Sequence, residues 1–217
     1  MSVAAGLGVL SALVCRAQQR AAPAVNTGQN VAGWHDTVKA RLEALALLQT
    51  LNADLLSHDS ATLTLDRWCS AHRMASPPQV VADQLPQIQK PPTARQRQEL
   101  QVTAGEPVRY RRVRLRCGNH VLSVADNWYV PDRLTPHMNH LLQTTDISFG
   151  RVVQPLHFSR HRLGAALLWN ARSPWPKAAA EVLRHRALLV LPDGRPISEV
   201  IESYTAEVLS FPQPQSR

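Results

Sequence analysis

Residues 108–130 read VRYRRVRLRCGNHVLSVADNWYV. Charged and apolar residues alternate from Val108 to Cys117, Gly118-Asn119 supplies a turn, and His120 to Val130 returns before Pro131 stops the run. A period of two on either side of such a turn is the pattern of a β-hairpin. Parity then sorts the arginines. Arg112, Arg114 and Arg116 fall on one face, while Arg111 shares the other with Val113, Leu115 and Cys117. The first face reads as solvated and the second as core. An arginine on a core face needs an anion, either a structural carboxylate or a bound ligand, because an unpaired buried charge is costly.

Upstream of the hairpin the periodicity is helical. Asp36 is placed to cap a helix from Thr37 to about Leu56, with Leu42, Leu45, Leu48, Leu51 and Leu55 as its apolar stripe. Ser60-Ala61-Thr62 starts a second helix that carries Leu63, Leu65 and Trp68, and Ser76-Pro77-Pro78 ends it. Gln79-Val80-Val81 reads as a short strand, and Thr93 caps a helix running through Gln101. Downstream, Leu134 to Leu142 is helical with Thr135 as its cap. Leu163 to Trp169, Arg186 to Leu191 and Pro196 to Tyr204 read as strands, the last two joined by the turn Pro192-Asp193-Gly194-Arg195. Helices first and strands after predict an α+β fold: one domain, a mainly antiparallel β-sheet with helices packed on it.

Ser2 to Cys15 is apolar, and Ala22-Pro23-Ala24 has the small-x-small form of a signal-peptide cleavage site, although no Lys or Arg precedes the apolar run. Residues 1–30 are therefore set apart as an apolar segment and linker, residues 31–212 are expected to form the domain, and 213–217 a tail. An exported chain and a cytosolic one with a frayed N-terminal helix both stay open. No run of about 18 apolar residues is present, so no membrane span is expected in the mature chain. The chain has 24 Lys and Arg against 16 Asp and Glu, a formal charge of +8, and its only lysines are Lys39, Lys90 and Lys177. Arginine-borne charge suits carboxylates and phosphates, which points to anionic partners or to a basic solvated surface. The hairpin strand carries too few aromatic residues to read as a nucleic-acid strand, and none is expected as a partner.

Three cysteines are too few for a disulfide scaffold; Cys69 and Cys117 are free to pair in an oxidising compartment and read as buried thiols otherwise. His137/His140 and His157/His161 have helical-face spacing without a third ligand, so no metal is expected. Phosphate-cradling glycine loops, dinucleotide fingerprints and Gly-x-Ser-x-Gly elbows are missing from the sequence.

Five segments, in order over about residues 45–210, resemble the bacterial chorismate–pyruvate lyases: Leu56 through Asp59-Ser60-Ala61-Thr62; Arg111-Arg112-Val113-Arg114-Leu115; Ala125 through Trp128-Tyr129-Val130-Pro131; Leu142 through Ile147-Ser148-Phe149-Gly150-Arg151; and Leu191 through Gly194-Arg195-Pro196 with Ser198-Glu199-Val200. The resemblance implies a buried Arg that holds the carboxylate of a small aromatic acid and a Glu that meets the hydroxyl at its other end. The Glu carries over to Glu199, with Glu202 as runner-up. The Arg carries over to Arg111 by motif and face, or to Arg112 by counting back from Cys117. Pocket positions fall on Ala61 and Phe149. Ala61 and Phe149 depart from the family's usual Met and Leu, and Asp126-Asn127 stands where an Arg is usual, which bears on the substrate.

The implied activity is conversion of chorismate to 4-hydroxybenzoate and pyruvate for ubiquinone biosynthesis, with no metal or organic cofactor. The alternative of another class is an exported, non-catalytic protein of the same fold that binds a small aromatic or carboxylate ligand. A monomer with a small anionic aromatic ligand is expected in either case. A cytosolic location goes with a working lyase and an exported one with the binding protein.

Overall fold

The computed structural model describes Met1 and residues 33–211; the expected signal segment and the C-terminal tail lie outside the described residues. Helix α1 spans Val38–Ser57, and its cap is Thr37 rather than Asp36, because the Thr37 hydroxyl accepts the Ala40 N–H. The buried stripe of α1 is Ala40, Ala44, Leu48, Leu51 and Leu55. Leu42 is exposed and Leu45 half-buried, since the helix rotates its small residues toward the sheet near its start. Each leucine fully buried here is worth roughly 1.5–3 kcal/mol. Helix α2, Ala61–Ala71, is capped by Ser60, whose side chain accepts the Leu63 N–H. Helix α3, Ala94–Glu99, begins with a capping box between Thr93 and Gln96. Helix α4, Pro136–Thr144, is capped by Thr135, and α5, Phe149–Val152, is one short turn.

Six strands form one antiparallel sheet in the order β1-β2-β3-β6-β5-β4. They are β1 Val80–Gln84, β2 Arg109–Cys117, β3 His120–Tyr129, β4 Ser159–Leu167, β5 Glu181–Val190 and β6 Pro196–Thr205. The expected α+β, single-domain architecture is the observed one. Strands β4 and β5 begin four and five residues earlier than their apolar patterns suggest, because their first halves are rich in charge.

The hairpin's parity decides what faces what. In β2, Arg111, Val113, Leu115 and Cys117 are buried, whereas Arg112 and Arg116 are half-buried and Arg114 is exposed. The register is irregular at Leu115/Arg116, but the extra residue is Leu122 on β3, so β2 keeps its alternation. Across the ladder, Arg111 stands opposite Asn127, Asn127 opposite Val200, and Val200 opposite Ala187. The next row joins Val113, Ala125, Glu202 and His185. This inner face is covered by α1, α2 and the turn Ala206–Leu209, where the indole N–H groups of Trp34 and Trp68 donate to the Leu209 and Val208 carbonyls. The opposite face, with Tyr110, Trp128, Leu188 and Ile201, packs under α3 and Leu100. A disulfide joins Cys69 of α2 to Cys117 of β2, with Cα atoms 6.3 Å apart.

Candidate functional site

On the inner face a cavity of about 470 Å³, counted out to its mouth, opens between β2, β3, β6, the start of β4 and the N-terminus of α2. Apolar walls come from Val113, Val200, Phe149 and Phe158, and the charged groups on its lining are Asp59, Arg111, Arg160 and Glu202. That combination suits a small molecule with one or two polar ends.

Arg111 borders the cavity and is 7% exposed. Its Nε donates to the Leu142 carbonyl at 3.2 Å and its Nη2 to the Ile147 carbonyl at 3.0 Å. Both acceptors are neutral, and among the described residues Arg111 forms no ion pair. Burial lowers its pKa to about 10, so the guanidinium stays charged at neutral pH. The charge is therefore held by the end of α4 and the segment before α5, and left unneutralised. Ser148 adds a hydroxyl that is buried and without a hydrogen-bond partner among the described residues. Ala61 and Thr62 bring the first turn of α2 to the cavity, where a helix leaves its N–H groups without carbonyl acceptors. Gly150 lets this turn come close: a Cβ there would lie 3.1 Å from the Ser60 hydroxyl oxygen.

Across the cavity stands Glu202, 5% exposed. Its Oε2 pairs with Arg160 Nη2 and accepts the Tyr204 hydroxyl at 3.0 Å. Arg160 is itself buried, so the two charges offset each other inside the wall. Beside them the His185 Nε2–H donates to Asn52 Oδ1 at 2.8 Å, and burial pushes the His185 pKa down to about 4.

The residues expected from the sequence divide between two faces. Arg111, Ala61, Phe149 and Glu202 all line this cavity. Arg112 points the other way, 3.7 Å from Asp126. Glu199 also lies on that opposite face, 0% exposed, where Oε1 accepts Arg186 Nε at 2.8 Å and Gln96 Nε2 at 3.3 Å. Arg186 bridges it to Glu99 of α3, and burial raises the Glu199 pKa. Glu199 thus fastens α3 to the sheet and does not meet Arg111. Asn127 sits in the cavity wall, its Oδ1 accepting the Ser198 hydroxyl. Arg160 carried no signal in the sequence, since it lies in the charged start of β4, and Ser148 was quoted only as part of a resembling segment, without a role.

Among the described residues, no group of three His, Cys, Asp or Glu is arranged to hold a metal ion. No helix there is long and apolar enough to cross a membrane.

This sheet order and helix placement have solved counterparts. PhnF from Mycobacterium smegmatis aligns over 74% of this chain and 70% of its own, with 12% identity and a TM-score of 0.50, which shows a shared fold. The ligand-binding domain of a GntR-family transcriptional regulator from Bordetella bronchiseptica aligns over 64% of this chain and 89% of its own, with 17% identity and a TM-score of 0.41. YydK from Bacillus subtilis subsp. subtilis str. 168 aligns over 63% of this chain at 14% identity and a TM-score of 0.42; the match spans 62% of YydK's length. The architecture is the chorismate lyase-like fold found in the effector domains of such regulators. No family model matches the chain. The chain belongs to one family with the uncharacterized protein y4mC of Sinorhizobium fredii (strain NBRC 101917 / NGR234), to which it is 52% identical over 199 residues, covering 83% of each.

Proposed function

We propose that this protein binds a small anionic aromatic molecule in the inner cavity. The ligand's carboxylate meets Arg111, and a hydroxyl at its far end donates to Glu202. The observation that carries the reading is a buried arginine which borders the cavity and has no carboxylate partner among the described residues. A carboxylate supplies the missing charge, and Ser148 with the first turn of α2 supplies further donors. Glu202, held as an acceptor by Arg160 and Tyr204, fits a hydroxyl better than a second anion.

Conversion of chorismate to 4-hydroxybenzoate and pyruvate is the second reading. It is favoured by the same facing of Arg111 and Glu202, and would use the aromaticity gained on elimination as its driving force. One experiment separates the two. Calorimetry with 4-hydroxybenzoate and a panel of aromatic carboxylates reads binding, and pyruvate release from chorismate reads turnover. Saturable single-site binding without pyruvate is expected. Pyruvate release at enzymatic rates makes the protein a lyase, and no binding by any member of the panel removes both readings.

A further inference from the structure

Arg111 borders a second space. It is an open groove of about 1170 Å³, counted out to solvent, between the start of β2, the loop after β1 and the end of α4. Three of its lining residues are cations, Lys90, Arg109 and Arg111, and none is an acid. Lys90 is already spoken for by Asp126, whose Oδ2 is 3.0 Å away. Arg109 is exposed and forms no ion pair among the described residues. Arg109 and Arg111 are two apart on one strand, so their side chains leave the same face about 7 Å apart. Tyr129 is the direct cross-strand partner of Arg109 and shares that face. It is 3% exposed. Arg109, Arg111 and Tyr129 thus share one face at the groove, and neither arginine has an ion-pair partner among the described residues.

We infer that this groove is a second anion site, distinct from the inner cavity, that takes the carboxylate of a small organic acid. Arg109 and Arg111 offer charged N–H donors, and the Tyr129 hydroxyl offers a third. The inner cavity contains Asp59 and Glu202 as well as two arginines, whereas the groove lining contains no acid, so the groove is the more electropositive of the two. The inference shares Arg111 with the function proposed above and is tested apart from it.

The test is a titration of the full-length, ¹⁵N-labelled protein with 4-hydroxybenzoate, and separately with inorganic phosphate, followed by amide chemical shifts. The amides of Gln89, Lys90, Thr93 and residues 108–110 report the groove, and those at 60–62 and 148–150 the cavity. Groove amides are expected to move with their own midpoint in 4-hydroxybenzoate. Arg109→Gln, a surface change, should raise that midpoint at least tenfold and leave the cavity midpoint unchanged. Groove amides that stay still, or that keep their midpoint in Arg109→Gln, overturn the second site. Groove amides that respond to phosphate and not to 4-hydroxybenzoate overturn the carboxylate assignment. Movement of the groove set alone, with the Arg109 dependence, would retain this site and remove the inner-cavity reading.

Discussion

Glu199 and Glu202 are both buried acids of β6, paired with Arg186 of β5 and Arg160 of β4, yet they should respond differently to the same change. Glu202→Gln leaves Arg160 nearly buried without its counter-charge, which should cost about 3–5 kcal/mol in urea unfolding. Glu199→Gln should cost much less near neutral pH. Burial already raises the Glu199 pKa, one of its oxygens has no partner, and the Arg186 side chain keeps Glu99. Ligand binding should follow the same split, with 4-hydroxybenzoate affinity falling in Glu202→Gln and holding in Glu199→Gln. At the other end of the cavity, Arg111→Ala should weaken binding by about 2–5 kcal/mol. Arg112→Ala, on the opposite face, should change it by less than about 1 kcal/mol. Calorimetry on the four variants checks both pairs. The parity of β2 made Arg111 legible, because one face of that strand is solvated and the alternation is visible in the residues. Strand β6 lies at the sheet's centre and is buried on both faces, so its sequence has no polar rhythm from which to tell the faces apart. A spacing of three puts Glu199 and Glu202 on opposite sides, but which side meets Arg111 depends on cross-strand register, and that is set by partners far away in sequence.

Among elements, α2 and β2 are the pair on which the cavity depends, since one brings its first turn and the other Arg111. The Cys69–Cys117 disulfide ties their far ends together across 48 residues of chain. In the chain-entropy picture a loop of that length is worth about 4 kcal/mol. Replacing both cysteines by serine should lower the unfolding free energy by about 2–4 kcal/mol, and reductant should reproduce most of the loss in the unmodified protein. Equal stability with and without reductant would mean that the pair is not joined in solution. The sequence offered these cysteines as candidates and no more, because pairing needs Cα atoms within about 7 Å, a distance that only the packing of α2 on the sheet fixes. Three helices were legible at their starts, where Ser60, Thr93 and Thr135 each accept a backbone N–H, whereas the cap of α1 is Thr37 and not the expected Asp36. The early halves of β4 and β5 were not, since Arg160, Arg162, Arg184 and Arg186 break the apolar pattern that marks a strand. In the folded sheet Arg160, Arg184 and Arg186 stand beside Glu202, Glu181 and Glu199, which is how a strand tolerates them.

For the molecule as a whole, two buried groups set opposing pH trends. His185 is neutral in the folded protein because burial lowers its pKa to about 4, from an ordinary 6.5. Below pH 6.5 the unfolded chain takes up a proton that the folded chain refuses, so stability falls through this window and levels off below about 4. The loss is roughly 3 kcal/mol. Glu199 works in reverse. Its folded pKa is raised by burial, so its contribution is present at low pH and is lost as pH rises through the folded value. Urea unfolding from about pH 7 to 4 should therefore show falling stability that flattens in His185→Gln, and an unchanged slope in that variant would assign the loss elsewhere. The groups facing His185 include Glu202, Arg160, Arg162 and the Tyr204 ring, with Asn52 from α1, so the same titration also reports on the cavity wall.

The bond between Cys69 and Cys117 has one more effect, which concerns breakage of the backbone. The stretch it encloses contains β1, α3 and the irregular segments around 85–93 and 100–108, where an extended chain at the surface invites a protease. A single cut there would not free either piece. The nicked protein would migrate as one species on a denaturing gel until a thiol is added, and then as two. Because the sheet pairs β1 with β2 on the far side of any cut in 85–108, it should also keep its shape in the meantime.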